Sequence, residues 1–303
     1  MRGTITKRFR CLMFAVSSLM LFAVMRPHGQ TPQLPTQNPQ TKFDSGQDVV
    51  PVYEGWIRNP DGTFDLVFGY FNRNYKEELA IPAGRDNMIE PGGPDRGQPT
   101  YFLPRRQARL FRVRVPKDWG QNVLIWTLTA NGRTEKAYGD LLPVQEINEH
   151  IIMSGGNAVP FGDEDPNTPP VITVAPVSQA SVSNLLALTA TVTDDGLPKP
   201  RTPPRPAPTA TTRGGTILRQ TDSSAVPRPR GLTVRWLQYG GPARATFDPA
   251  GAIPVANGTA TTRARFAAPG MYTLVATASD GQLSQRAVVN INVTAASSGQ
   301  RNP

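Results

Sequence analysis

Apolar and polar residues alternate along much of this chain, and no long helical stripe interrupts them. Residues 49–74 read VVPVYEGWIRNPDGTFDLVFGYFNRN, a strand, a turn and a second strand. Asn59-Pro60-Asp61-Gly62 makes the turn, because proline fixes φ and glycine accepts a positive one. Beyond it Phe64, Leu66, Phe68 and Tyr70 fall on every second position and so share one strand face. In ARLFRVRVP the same period turns Phe111, Val113 and Val115 inward and Arg112 and Arg114 outward. NVLIWTLTANGRTEKAYG gives a strand pair about Asn131-Gly132, a dipeptide suited to a two-residue hairpin. Short strands separated by turns predict an antiparallel β-sandwich over residues 48–155. VQEINEHIIM suits either a short helix or a last strand. Residues 83–104, with Pro91, Gly92, Gly93, Pro94, Gly97 and Pro99, predict an irregular stretch of the kind that is functional or disordered.

The pattern pauses at residues 156–168, where glycines, acids and prolines mark an interdomain linker. It resumes with PPVITVA, LLALTATVTDDG, GLTVRWLQYGG, ARATFDPAG, TATTRARFAAPG, MYTLVATASDG and QRAVVNINVT. Tyr272, Leu274, Ala276 and Ala278 alternate with Thr273, Val275, Thr277 and Ser279, so one set can face a core and the other a partner or solvent. Trp236 stands mid-strand, where one large aromatic fills the space between two sheets. The fold class expected is therefore all-β, two antiparallel sandwiches at 48–155 and 169–294. The second is broken by a Pro- and Arg-rich insertion at 199–230 that buries too little to order itself. A long loop insertion costs a sandwich little.

Composition adds the compartment. Residues 1–29 combine Arg2, Lys7, Arg8 and Arg10 with an apolar run from Cys11 to Met25, the pattern of a secretory signal peptide, with a retained N-terminal anchor as the alternative. The run is short for a membrane-spanning helix. Residues 30–47 read as a flexible tether and 295–303 as a disordered tail. Cys11 is the only cysteine and leaves with a cleaved leader, so disulfides and thiol chemistry are excluded from the mature chain. The formal charge of +9 comes largely from the leader and the 199–230 insertion, which does not imply a nucleic-acid surface. An extracytoplasmic location follows, whether periplasmic, surface-held or secreted.

In order along the chain, TATVTDDGLP, GLTVRW, GGPARATFDP, ATTRARFAAPGMYTLVATASDG and VVNINV resemble the PKD-type immunoglobulin-like domains of secreted bacterial proteins. The resemblance covers residues 169–294 and implies a Greek-key sandwich acting as spacer, adhesive or binding module. The 199–230 insertion departs from that pattern, which has a short connection there. PGGPDRGQPTYFLPRRQ and VRVPKDWG resemble segments of uncharacterised secreted bacterial proteins, which implies no activity.

The chain has two histidines, His28 and His150, so a His-rich zinc site is excluded, and no GxSxG elbow accompanies His150. Glu54, Asp65, Glu77, Glu78, Glu90 and Asp95 supply carboxylates for a glycoside hydrolase, though no spacing singles out a pair. Among Trp56, Tyr70, Tyr75, Tyr101, Trp119 and Trp126, the period-two runs place Tyr70 and Trp126 in the core. Tyr101 and Trp119 are left as the exposed aromatics which, with Asp95 and Arg96 of the 83–104 segment, form the candidate carbohydrate site. Calcium is the one cofactor raised. Asp163, Glu164 and Asp165, then Asp194 and Asp195, then Asp280 lie in segments that meet at one end of such a sandwich, with Asp165, Asp195 and Asp280 as the candidate ligands. The two Asp-Gly pairs also make turns without any metal. The function expected is an exported, non-enzymatic binding or structural protein. A carbohydrate-binding module of a surface polysaccharide system is the alternative, and a hydrolase the third reading. The implied partners are a cell-wall or extracellular polysaccharide or a surface protein.

Overall fold

A computed structural model describes residues 42–156, 166–177, 179–199 and 231–296. The leader, most of the tether, Asp163 to Asp165, the 199–230 insertion apart from Lys199, and most of the tail lie outside the described residues. The rest is almost entirely β-structure built round two hydrophobic cores.

The first core lies between β1 (Val49–Arg58), β2 (Phe64–Asn72) and β6 (Arg105–Val115), paired in the order β1-β2-β6, and a second sheet in the order β4-β7-β8. The latter comprises β4 (Asn87–Glu90), β7 (Leu124–Ala130) and β8 (Arg133–Gly139). A small pair, β3 (Leu79–Ala80) with β5 (Tyr101–Phe102), closes one side. Phe64, Leu66, Phe68, Tyr70, Phe111, Val113 and Val115 are buried as their alternation requires. Trp126 is fully buried and meets Phe111 edge-on, with ring centroids 4.9 Å apart. VQEINEHIIM resolves into a one-turn helix, α1 (Glu149–Met153), because Asn148 caps it by accepting from Ile151 N at 3.0 Å. The irregular stretch expected over residues 83–104 is corrected in part, since β4 and β5 lie within it.

The second core is sandwiched between two sheets. One runs β10-β17-β16-β12-β14 and the other β13-β15-β11-β9. Their strands are β9 (Val171–Val174), β10 (Gln179–Ser181), β11 (Leu186–Thr193), β12 (Thr233–Gly240), β13 (Ala245–Asp248), β14 (Ala252–Pro254), β15 (Thr259–Phe266), β16 (Gly270–Ser279) and β17 (Ser284–Thr294). All pairings are antiparallel except β10 with β17. This is an immunoglobulin-like sandwich of two sheets. Trp236 sits in its core, and Tyr272, Leu274, Ala276 and Ala278 are wholly buried there.

The described residues all fall within one compact unit, Lys42–Pro303. Val275, on the opposite face of β16, is only 6% exposed, and it lines a small cavity together with Leu103, Ala108 and Leu110 of the first body. The second face of β16 therefore meets a partner within the same chain.

Candidate functional site

The segment singled out in the sequence for recognition is anchored at both ends by buried residues. Asn87 and Ile89 stand on one side and Gln98, Pro99, Tyr101 and Phe102 on the other, while 90–95 stay exposed. Asn87, fully buried, organises it: its amide donates to Ile81 O at 2.9 Å and Pro99 O at 2.8 Å, while its carbonyl accepts from Trp126 Nε1 at 3.0 Å. Gln98, also buried, donates to Asn87 O at 3.1 Å and Pro94 O at 2.6 Å. Asp95 Oδ1 accepts from Gly97 N at 2.9 Å, which fixes the turn at a glycine with φ of 86°. Arg96 donates to Pro91 O at 2.6 Å and Arg114 O at 3.3 Å. Asp95 and Arg96 thus hold the loop's own backbone.

The two aromatics expected to be exposed are placed otherwise. Tyr101 is 4% exposed, because its ring closes the side of the first core and its hydroxyl reaches Glu78 Oε2 at 2.6 Å. Burial first, and then the bond to the Glu78 carboxylate, push its phenol above the usual tyrosine range. Trp119 is half-buried, packed on the same core. The structure brings Asp95 and Arg96 together in one turn but makes no aromatic platform of Tyr101 and Trp119.

That segment instead receives the second body. Thr100 N donates to Tyr239 O at 3.1 Å, Gly241 N donates to Thr100 Oγ1 at 3.3 Å, and the Tyr239 hydroxyl donates to Gly97 O. The approach requires Gly240, since a β-carbon there would stand 2.8 Å from Thr100 Oγ1. Arg244 adds an ion pair to Glu78 at 3.5 Å. Desolvation raises the Tyr239 phenol well above its ordinary range.

A second contact forms at a bulge. The register of β1 shifts between Tyr53 and Gly55, and that of β2 against β6 between Phe68 and Tyr70. The Glu54 carboxylate passes over Gly69 to accept from Arg109 N at 2.8 Å, and it also pairs with Arg106 at 3.0 Å. The displaced carbonyls of Arg109 and Leu110 then accept from Arg286 of β17 at 3.0 and 3.3 Å. Ser284 Oγ adds a bond to Met153 O at 3.0 Å. Tyr239 and Arg286 carry this joint and Asn87 braces the segment that receives it, and sequence reasoning did not pick them out. The one signal for it was the second set on β16, Thr273, Val275, Thr277 and Ser279, which can face a partner or solvent.

The carboxylates considered for hydrolysis are engaged in ion pairs or hydrogen bonds where they are buried. Asp65 binds Arg114 at 2.8 and 3.2 Å. Partial desolvation works against it, but hydrogen bonds from Arg114 and Asn59 win and hold its carboxyl below the usual range. A general acid needs the opposite shift. Glu77 accepts from Gly46 N at 2.7 Å, Glu78 serves Tyr101 and Arg244, and Glu90 is exposed.

Of the calcium candidates, Asp165 lies outside the described residues. Asp195 has both oxygens occupied: Oδ2 accepts from Thr168 N and Oγ1 at 2.8 and 2.7 Å, and Oδ1 from Leu197 N at 2.8 Å. These bonds, the Thr168 side chain's first, lower its carboxyl. Asp280 Oδ1 accepts from Gln282 N at 2.6 Å and Leu283 N at 2.7 Å. Among the described residues no three histidine, cysteine or carboxylate groups converge as a metal site.

No known protein family matches the chain, and no curated protein matches it. Similar solved structures include a conjugative transposon lipoprotein from Bacteroides eggerthii, 14% identical over 41% of this chain and 97% of that one, with a TM-score of 0.25. The PKD domain (329-428) of human KIAA0319 is 17% identical over 48% of this chain and 100% of that one, at a TM-score of 0.22. An endo-fucoidan hydrolase of glycoside hydrolase family 107 is 12% identical over 86% of this chain and 29% of that one, at 0.24. At such scores none of the three says what this chain does.

Proposed function

We propose that the protein is an exported, non-enzymatic structural and binding protein in which the immunoglobulin-like body holds the N-terminal sandwich in a fixed orientation. The observation that carries this reading is the use of the 83–104 segment. Gly97, Thr100 and Tyr101 are spent on the joint and the core rather than on an open cleft. A spacer needs its two bodies to move together, and hydrogen bonds at two separate places on one interface resist hinge motion. The partner is a surface polysaccharide or surface protein met by the outer face of the N-terminal sandwich. Among the described residues no helix is long and apolar enough to cross a membrane.

The test is a pair of spin labels on the full chain, with Cys11 replaced and cysteines placed at the exposed Tyr138 and Met271. A single narrow distance distribution is expected. A broad one would show bodies that swing freely and would overturn the reading. Export is tested by fractionation, which should place the protein outside the cytoplasm; recovery from the cytosol alone contradicts it.

A further inference from the structure

β1 begins, β2 ends and β6 begins at one end of the N-terminal sandwich, where Asn72 pairs with Val49 on one side and Arg105 on the other. Residues 42–44 are tied to the same end, since Tyr75 N donates to Phe43 O at 2.9 Å and Lys76 N to Asp44 O at 3.0 Å. Two cations there share one ring. The Arg105 guanidinium carbon lies over Tyr75, 3.9 Å from its centroid, and Lys42 Nζ lies over it at 5.5 Å. Arg105 also covers Phe71 at 4.6 Å, and its Nη1 donates to Arg73 O at 3.1 Å. Two rings and a carbonyl therefore hold the guanidinium as a fixed fork. Its backbone has a φ of 66°, which a residue bearing a β-carbon seldom adopts, and strain of this kind clusters at ligand clamps.

Among the described residues neither Arg105 nor Lys42 has a counter-ion. The carboxylates nearby are engaged elsewhere. Asp44 pairs with Lys76 at 2.6 Å, and buried Asp48 with Arg73 at 3.4 Å. Glu77 Oε2 accepts from Gly46 N at 2.7 Å and Asn131 Nδ2 at 3.1 Å. Beside the cations, Phe43 is 49% exposed.

We infer that Lys42, Phe43 and Arg105 form a binding site for an acidic polysaccharide, one that carries uronate carboxylates. A guanidinium held by its flanking rings takes a carboxylate through two parallel N–H bonds, and Lys42 adds a second positive charge for the same chain. The Tyr75 ring is taken up by the cations over it, so Phe43 supplies the apolar ring for the C–H face of a pyranose. A free phosphate would use the cations and leave Phe43 without a role, whereas a carboxylated sugar uses all three side chains. The site rests on the proposed function, whose polysaccharide partner it narrows to an acidic one.

The experiment is binding of the full chain to polygalacturonate and to alginate, with dextran as an uncharged polysaccharide and phosphatidylglycerol vesicles as an acidic surface without a glycan. Saturable binding to the uronates that weakens as salt rises is expected. Arg105→Ala should weaken it by roughly tenfold or more, and Arg105→Lys should recover only part, because an ammonium lacks the fork. Lys42→Ala and Phe43→Ala should each cost roughly threefold or more. Arg263→Ala, at an exposed arginine of the immunoglobulin-like body, should bind as the unaltered protein does. If Arg105→Ala does not fold, Lys42→Ala and Phe43→Ala, both at exposed positions, decide. No binding to either uronate overturns the inference, as does uronate binding that these variants leave unchanged. Vesicle binding as tight as uronate binding overturns it in favour of a membrane surface. Binding to dextran in place of the uronates overturns it while the proposed polysaccharide partner stands.

Discussion

Asn87 shows how a single side chain can fix a region that its neighbours leave unspecified. Both of its amide hydrogens and its carbonyl are used, and the residue is fully buried. Asn87→Ala leaves Trp126 Nε1 and two carbonyls without partners, so stability should fall by about 3 kcal/mol, read as a lower urea midpoint at unchanged slope. A loss below about 0.5 kcal/mol, the usual range of surface changes, contradicts the role. In GRDNMIEPGG the residue reads as one more turn former, because nothing local says that a tryptophan and two carbonyls will converge on it. The sequence suggests exposure for Tyr101, which is buried, for the same reason. Asp65 gives a pH dependence. Its folded value lies below the ordinary 3.8, so its contribution is complete above that pH and is lost as pH falls through the lowered value. Acid unfolding should therefore be shallower in Asp65→Asn than in the unaltered protein; identical acid limbs would contradict the pairing with Arg114.

Strand faces were legible wherever one side met solvent. Phe111, Val113 and Val115 follow their period, as do the alternating residues of β15, whose burial switches at every position. β2 departs from it: Asp65, Val67 and Gly69 are buried along with Phe64, Leu66, Phe68 and Tyr70. A period of two reports a difference between faces, and here both are covered, the outer one in part by Glu54 and the arginines of β6. Bulges were illegible for a related reason, since their partners come from strands distant in sequence. The bulge at Gly69 makes its own prediction. A β-carbon there would collide with Glu54 Oε1 and Gln107 O, so Gly69→Ala should cost about 3 kcal/mol and weaken the Arg286 contact. Thermal unfolding of that variant measures it, and an unchanged melting temperature would remove the bulge from the account.

The joint decides how the molecule behaves as a whole, and it was the least visible feature in the sequence. An alternating strand says that a second face exists but not what lies on it. Val275 could be placed against the first body only once Tyr239 and Arg286 were seen to bind it. The joint also titrates. Tyr70, Tyr101 and Tyr239 are raised by burial above the ordinary 10.0, so the stability they contribute is complete below that pH and is lost as pH climbs towards the raised values. Tyrosinate absorbance should appear together with unfolding, in one step, for these three groups; smooth ionisation of all tyrosines before any loss of structure contradicts their burial. The most direct measurement is calorimetric unfolding of the full chain. With both bodies locked by the contacts at Gly97, Thr100, Arg109 and Leu110, one transition is predicted, its calorimetric and van't Hoff enthalpies equal, and Tyr239→Phe combined with Arg286→Ala should divide it in two. Two separate transitions in the unaltered protein would contradict the account.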